Sequence, residues 1–269
     1  MTKAPVDPLT THAIFQHGRV AAGYASARPF LHPEVFARVR DLIGPPSRLR
    51  WALDVGCGTG MSSVALLGLS QRVVGVDASV EMLRLARKAE GLHYLASAAE
   101  ALPFRGGRFD LIAACGSIDW VDRARFVPRA ADLLARGGFL VPLDFGDLGR
   151  SAEIPALERW YEDVFHQAYP RPPAGDPMVT SAEAASHGFS PPVNAPFASS
   201  CTFTSVQYAD FLMTESEVTA AVEYGGQAAD RVRGWLVAEL APLFGGGPRE
   251  VAFGGYIQVL RKLPAREGT

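Results

Sequence analysis

The stretch Trp51-Ala-Leu-Asp-Val-Gly-Cys-Gly-Thr-Gly60 decides the fold. An apolar run, Trp51 to Val55, enters a turn with glycines at 56, 58 and 60, and a helix-like segment, Met61 to Leu67, leaves it. Run, glycine turn and helix start are the ingredients of a nucleotide-binding βα unit. Glycine is needed there because the backbone bends sharply and a ligand must approach where a Cβ would stand. A second apolar run, Arg72-Val-Val-Gly-Val-Asp77, ends in a carboxylate at the distance expected of a ribose-binding acid.

Two details separate the candidate cofactors. A dinucleotide fingerprint places glycine or alanine where Met61 stands, and here the third glycine is at 60. Asp54 also precedes the first glycine by two residues, close to where a pyrophosphate would lie. A carboxylate there repels phosphate and attracts an ammonium group. The turn therefore suits a cofactor with a cationic amino-acid tail and a ribose, and S-adenosylmethionine is one.

Further motifs follow in order: Val76-Asp77-Ala-Ser79, Ala99-Glu-Ala-Leu-Pro-Phe104, Phe109-Asp-Leu-Ile112, Asp119-Trp-Val-Asp122 and Arg136-Gly-Gly-Phe-Leu140. With the glycine turn, this series resembles the class I S-adenosylmethionine-dependent methyltransferases, in particular the small-molecule branch typified by ubiquinone/menaquinone and trans-aconitate methyltransferases. The resemblance covers roughly residues 12 to 145. It implies an α/β fold: a Rossmann-like, seven-stranded, mostly parallel sheet with an antiparallel last strand and helices on both faces. A helical lid at 12–43, a cofactor-binding core at 48–147, a cap insertion at 150–198 and C-terminal sheet and helices at 199–263 would make one methyltransferase domain.

The resemblance also assigns residues. Tyr24 and Arg28, in Tyr24-Ala-Ser-Ala-Arg-Pro29, become candidate contacts to the cofactor's methionyl end. Asp54 would face its ammonium, and Gly56, Cys57, Gly58 and Gly60 would supply close backbone. Asp77 would hold the ribose. Ala78 and Met82 would flank the adenine, with Ala99 on its other side. Relatives commonly carry an acid where Ala98 stands, so either a backbone carbonyl, a water or Glu100 accepts from the adenine amino group, or adenine binding is weaker. Cys115, Gly116 and Ser117 would line the methionyl arm. Phe15, Tyr24, Trp120 and Phe145 are the aromatic candidates for the acceptor. Asp119 and, more weakly, His32 are candidate general bases, which an acceptor hydroxyl or protonated amine would require. His12, His17 and His166 are further imidazoles for such a pocket, although structural roles compete for each.

The implied reaction moves a methyl group from S-adenosylmethionine to O, N or C of a small molecule and leaves S-adenosylhomocysteine. A cofactor-binding protein that does not methylate, such as a cyclase or rearrangement enzyme, and a nicotinamide oxidoreductase are the rival readings. Composition agrees with a globular enzyme: 269 residues, 48% hydrophobic, 20% charged, net charge -2. That balance predicts neither a nucleic-acid footprint nor an anionic-membrane one. Three scattered cysteines point to a reducing compartment, and with no leader-like or spanning run the expectation is a cytoplasmic monomer or homodimer. No metal-ligand spacing occurs, and no metal is expected.

Local signals give element expectations. Two short helices fill 12–39, Ser79 caps a helix to about Ala89, and Pro128 delays a helix to near Val127. Gly137-Gly138 ends that helix, Pro142 marks a bulge in the strand Phe139 to Phe145, and Ser200 to Val206 is a strand. Thr214-x-x-Glu217 reads as a capping box opening a helix. The aromatic stripe Trp160, Tyr161, Phe165 fits plain core better than a substrate box.

Overall fold

In the computed structural model, which describes residues 13–44, 48–171 and 177–264, the chain opens with two helices, α1 (Gly18–Ala27) and α2 (His32–Ile43). Arg28 ends α1 in extended conformation, as a residue before proline prefers. Pro33 lies in the first turn of α2, where its missing N–H leaves nothing unbonded, so it opens a helix instead of breaking one. Next come β1 (Leu49–Val55), α3 (Met61–Leu66), β2 (Ser70–Asp77), α4 (Val80–Arg84), β3 (Leu92–Ala96), β4 (Phe109–Cys115), α5 (Arg123–Leu133) and β5 (Leu134–Asp147). The insertion contains α6 (Leu157–Trp160), a π-turn at Tyr161–Phe165, α7 (His166–Ala168) and α8 (Ser181–Ser186). The chain closes with β6 (Val193–Phe203), α9 (Ser205–Leu212), α10 (Ser216–Glu223), α11 (Ala229–Phe244) and β7 (Arg249–Arg261).

The seven strands form one sheet in the order β3-β2-β1-β4-β5-β7-β6. β1 lies parallel to β2 and β4, β2 to β3, and β4 to β5. β7 runs antiparallel to both neighbours; Gly137 N–H and Lys262 N–H, for instance, bond the Lys262 and Gly138 carbonyls at 3.1 and 2.8 Å. β1 is buried on both faces, Ala52 and Leu53 at 0% exposure, which explains its largely apolar run.

Two compact units make up the chain: Met1–Pro29 with Gly146–Pro173 and Ala198–Gly254, and Phe30–Phe145 with Ala174–Phe197 and Gly255–Thr269. The second, the sheet unit, has a core on each sheet face. One gathers Phe109, Phe126, Val127, Leu133 and Phe189; the other Phe36, Val39, Leu66, Leu111 and Val141. The first, the helical unit, is built on aromatic packing, with Phe203, Tyr208, Phe211 and Phe253 in mutual ring contact. Trp160, Tyr161 and Phe165 are buried there. The residue 1–11 arm, His12 and most of the proline-rich loop after Pro170 lie outside the described residues.

Several local expectations are corrected. Ser79 does cap α4, its hydroxyl accepting from Met82 N–H at 3.2 Å, but the helix stops at Arg84. Arg87 N–H is drawn instead to the Thr59 carbonyl of the glycine loop, 3.0 Å away. α5 begins at Arg123 and carries Pro128 inside it, because Asp122 O anchors its first turn and Phe126, Val127, Ala130 and Leu133 are buried. One missing hydrogen bond is outweighed by that apolar stripe. Gly137-Gly138 lies within β5, where the register against β4 slips between Phe109↔Leu134 and Leu111↔Phe139. Pro142 sits in regular register opposite Ala114. Gly116 N–H bonds the Leu143 carbonyl, so Leu143 turns its peptide groups to β4 and Pro142 turns its N away from it. β6 starts at Val193 and ends before Val206. The real capping box is Thr204–Gln207 at α9, whereas the Thr214 hydroxyl donates to Phe211 O and α10 starts after Glu215.

Candidate cofactor and acceptor site

β1, β2, β4 and β5 all end at one edge of the sheet, and the loops that leave them carry most of the singled-out residues. After β1, Gly56, Gly58 and Gly60 have φ of 70, 51 and 78°, which side chains other than glycine rarely adopt. Their surroundings differ. A Cβ on Gly56 would stand 2.4 Å from that of Ser117, and one on Gly60 would stand 2.0 Å from the Tyr94 hydroxyl. At Gly58 it would meet nothing within 4 Å. Two of the glycines thus let protein pack closely, and Gly58 is the one that opens outward.

Asp54 lies inside the loop's footing at 0% exposure. Its Oδ2 accepts the Ser62 and Ser63 hydroxyls at 2.6 and 2.5 Å, tying β1 to the start of α3. Its Oδ1 is buried with no hydrogen-bond partner among the described residues. Burial pushes the carboxyl up to about 6, against the pull of the two serines. Asp77 closes the other side. It accepts Gly58 N–H on Oδ2 at 2.8 Å and Ser79 N–H on Oδ1 at 2.7 Å, so β2's terminal acid and the outward glycine are one hydrogen-bonded cradle. Burial raises the Asp77 carboxyl, and the Ser79 and Gly58 amides hold it back.

Ala78 is exposed beside this cradle and Met82 is buried at 3%. Ala98 is exposed and Ala99 buried, at the start of a 3-10 turn over Ala99–Ala101. Glu100 Oε1 accepts Asp122 N–H at 2.7 Å. Cys57 and Cys115 are free thiols that burial holds well above the ordinary thiol range, so they stay protonated and inert as nucleophiles. Ser117 is buried, donating to Val55 O at 2.6 Å, and Gly116 is exposed between these two residues.

Asp119 and Trp120 follow in a 3-10 turn, Asp119 exposed. His32 packs edge-on against Phe145 at the end of β5, with ring centroids 5.1 Å apart, and stacks on Phe30. The sheet unit therefore brings Asp54, Asp77, the glycine loop, Cys115–Asp119, His32 and Phe145 to one edge. Phe15, Tyr24, Arg28, His17 and His166 belong to the helical unit. There Arg28 donates to Thr214 O at 2.9 Å, pairs with Glu215 at 3.2 Å and lies over the Tyr24 ring, while Phe15 meets that ring edge-on. His17 pairs with Glu223 at 3.3 Å, and burial lowers the His166 imidazole.

Sequence reasoning missed Ser62, Ser63, Tyr94 and Asp144. The serines follow the turn where any helix-start residue would serve. Tyr94, whose hydroxyl donates to Arg87 O at 2.7 Å, stands opposite Gly75, and that glycine was the available hint. Asp144, on β5, has Oδ1 3.2 Å from where Gly116 would carry a Cβ, which no local pattern signals. Among the described residues no group of three or more His, Cys, Asp or Glu could hold a metal ion, and no helix is long and apolar enough to cross a membrane.

Residues 53–141 match the family described as a methyltransferase domain. A candidate methyltransferase of Dictyostelium discoideum is 25% identical over 60% of this chain and 62% of its own length. A malonyl-[acyl-carrier protein] O-methyltransferase of Hamiltonella defensa is 32% identical over 51% of this chain and 52% of its own. The chain thus spans less than two thirds of the length of these curated relatives. A solved structure of a candidate type II methyltransferase from Anaeromyxobacter dehalogenans superposes with a TM-score of 0.65, covering 87% of this chain and 97% of that one at 22% identity, a likeness of fold.

Proposed function

We propose that this chain transfers a methyl group from S-adenosylmethionine to a small-molecule acceptor, because residues 53–141 match the methyltransferase-domain family and the sheet has the strand arrangement of a Rossmann-like methyltransferase fold. The observation that carries the reading is the Gly58–Asp77 cradle: an outward-opening glycine whose N–H is bonded to the acid that ends β2. A carboxylate oxygen has room for more than one donor, so Asp77 can take ribose hydroxyls while keeping both amide bonds. Asp54 fits the cofactor's ammonium because its buried Oδ1 has no hydrogen-bond partner among the described residues, and no phosphate would be welcome beside it. Met82 and Ala99 offer apolar surface to the adenine.

When bound, the cofactor supplies an activated methyl on sulfur, so the chain's own task is to bind, orient and exclude water. Cys115, Gly116 and Ser117 would position the methionyl arm. Asp119, Asp144 and His32 are the groups at this edge able to accept a proton from an acceptor. We place the activity in the cytoplasm.

Calorimetric titration with S-adenosylhomocysteine tests the reading. The wild-type chain should bind it, and Asp77→Ala should weaken binding about tenfold or more, since a hydrogen bond to a charged group is worth ~1.5–3 kcal/mol. Equal affinity in the two proteins, or tighter binding of NADH, would overturn the cofactor assignment. Incubation with S-adenosylmethionine and a metabolite extract should yield S-adenosylhomocysteine and a product heavier by one methylene; cofactor binding without that product would leave the non-methylating rival.

A further inference from the structure

The opposite, amino edge of the sheet has a chemistry that the net charge of -2 conceals. Parallel pairing brings the starts of β1, β2, β4 and β5 together, and antiparallel β7 returns its last residues to the same place. Arg48, Arg50, Arg72, Arg108, Arg136 and Arg261 are therefore neighbours of one edge, and all six are exposed. Among the described residues the acids there are Asp41, Glu90, Asp110 and Asp132. Asp110 accepts Arg50 N–H and Trp51 N–H at 2.8 and 3.0 Å, and Asp132 is paired with Arg129.

Beside the arginines lies an apolar groove of 540 Å³, lined by Leu42, Ile43, Leu49, Phe139, Val193 and Val259 with Arg261 at its rim. Val193 is 54% exposed, a large fraction for an aliphatic side chain on a strand. An aliphatic trough edged by arginines is the pattern of a protein interface: an apolar anchor site inside a charged rim. Nucleic acid fits it less well, having no aliphatic groups to fill the trough. The Trp51 ring at this edge is also engaged, since the guanidinium groups of Arg72 and Arg108 lie 5.2 and 4.4 Å from its centroid, where a base would stack.

We infer that the amino edge of the sheet docks an acidic protein segment that inserts aliphatic side chains into this groove. The inference rests on the sheet unit alone and is independent of the methyl-transfer reading. The probe is a fluorescein-labelled helical peptide with glutamates on one face and leucines at i, i+3, i+4 and i+7 on the other, followed by anisotropy at low and physiological salt. Binding should weaken with salt, and at least tenfold in each of three cases: Arg136→Glu with Arg261→Glu, Val193→Asp, and a peptide with alanines for leucines. All substituted side chains are exposed, and an unchanged circular-dichroism spectrum and melting temperature report that the variants remain folded. Three results would overturn the proposal: a single-stranded oligonucleotide of equal charge binding as tightly, peptide binding that survives the substitutions, or a wild-type dimer in light scattering that Val193→Asp dissolves.

Discussion

At the residue scale, folding and the proposed cofactor binding make opposite demands on Asp54. In the ligand-free chain, burial raises its carboxyl from 3.8 to about 6. The folded state thus holds the proton longer than the unfolded one, and the stability this group contributes is complete below 3.8 and lost as pH rises through 6. A cationic ammonium beside Oδ1 reverses the preference and needs the ionised form. Affinity for S-adenosylhomocysteine should therefore rise by roughly tenfold between pH 5 and 7, one pKa unit below the midpoint corresponding to ~1.4 kcal/mol. Asp54→Asn should flatten that profile; calorimetry across the range decides, and a profile unchanged in the variant would remove Asp54 from the cofactor's surroundings. The glycines divide similarly. Gly58→Ala meets only its positive φ, about 1–2 kcal/mol of strain, and should reduce ligand affinity in a folded protein. Gly56→Ala adds a collision with Ser117 and should lower the melting temperature further. The glycine spacing and both aspartates were legible in the sequence because their constraint is local. That Gly60 makes room for Tyr94 was not, because the partner arrives from another strand.

At the element scale, local punctuation yields to tertiary packing. Proline and paired glycines usually end elements, yet Pro128 lies inside α5 and Gly137-Gly138 inside β5. In both cases tertiary burial and a neighbouring strand supply more free energy than the local preference removes. Pro128→Ala restores an N–H for the Ala124 carbonyl and should raise the urea midpoint, by a gain of ~1–3 kcal/mol less the ~0.4–1 kcal/mol of unfolded-state entropy that proline removes. The caps show the same limit from the other side. Thr204-x-x-Gln207 and Thr214-x-x-Glu217 look alike in sequence, but only the first closes reciprocal hydrogen bonds. Thr204→Ala should cost about 1 kcal/mol in equilibrium unfolding, the value of a lost N-cap.

At the scale of the molecule, pH dependence again depends on buried acids. In the helical unit, burial raises Asp147 from 3.8 to about 7, although the Tyr208 hydroxyl and Gly149 N–H both donate to it. Its contribution is likewise complete below 3.8 and lost as pH rises through 7, so the melting temperature of the ligand-free chain should fall between pH 5.5 and 8. Asp147→Asn should remove part of that slope, and an identical slope in the variant would show that the carboxyl ionises freely in the fold. By itself the sequence determined the alternation of strands and helices, the bend that suits a cofactor, and the acids flanking it, because these depend on spacing along the chain. Only the tertiary structure decided which glycines pack against protein and which opens outward, that Glu100 engages Asp122, that Arg28 is held by Glu215, and that scattered arginines share one edge. Those facts come from strand order and register, and strand order is set by burial between segments that are far apart in sequence.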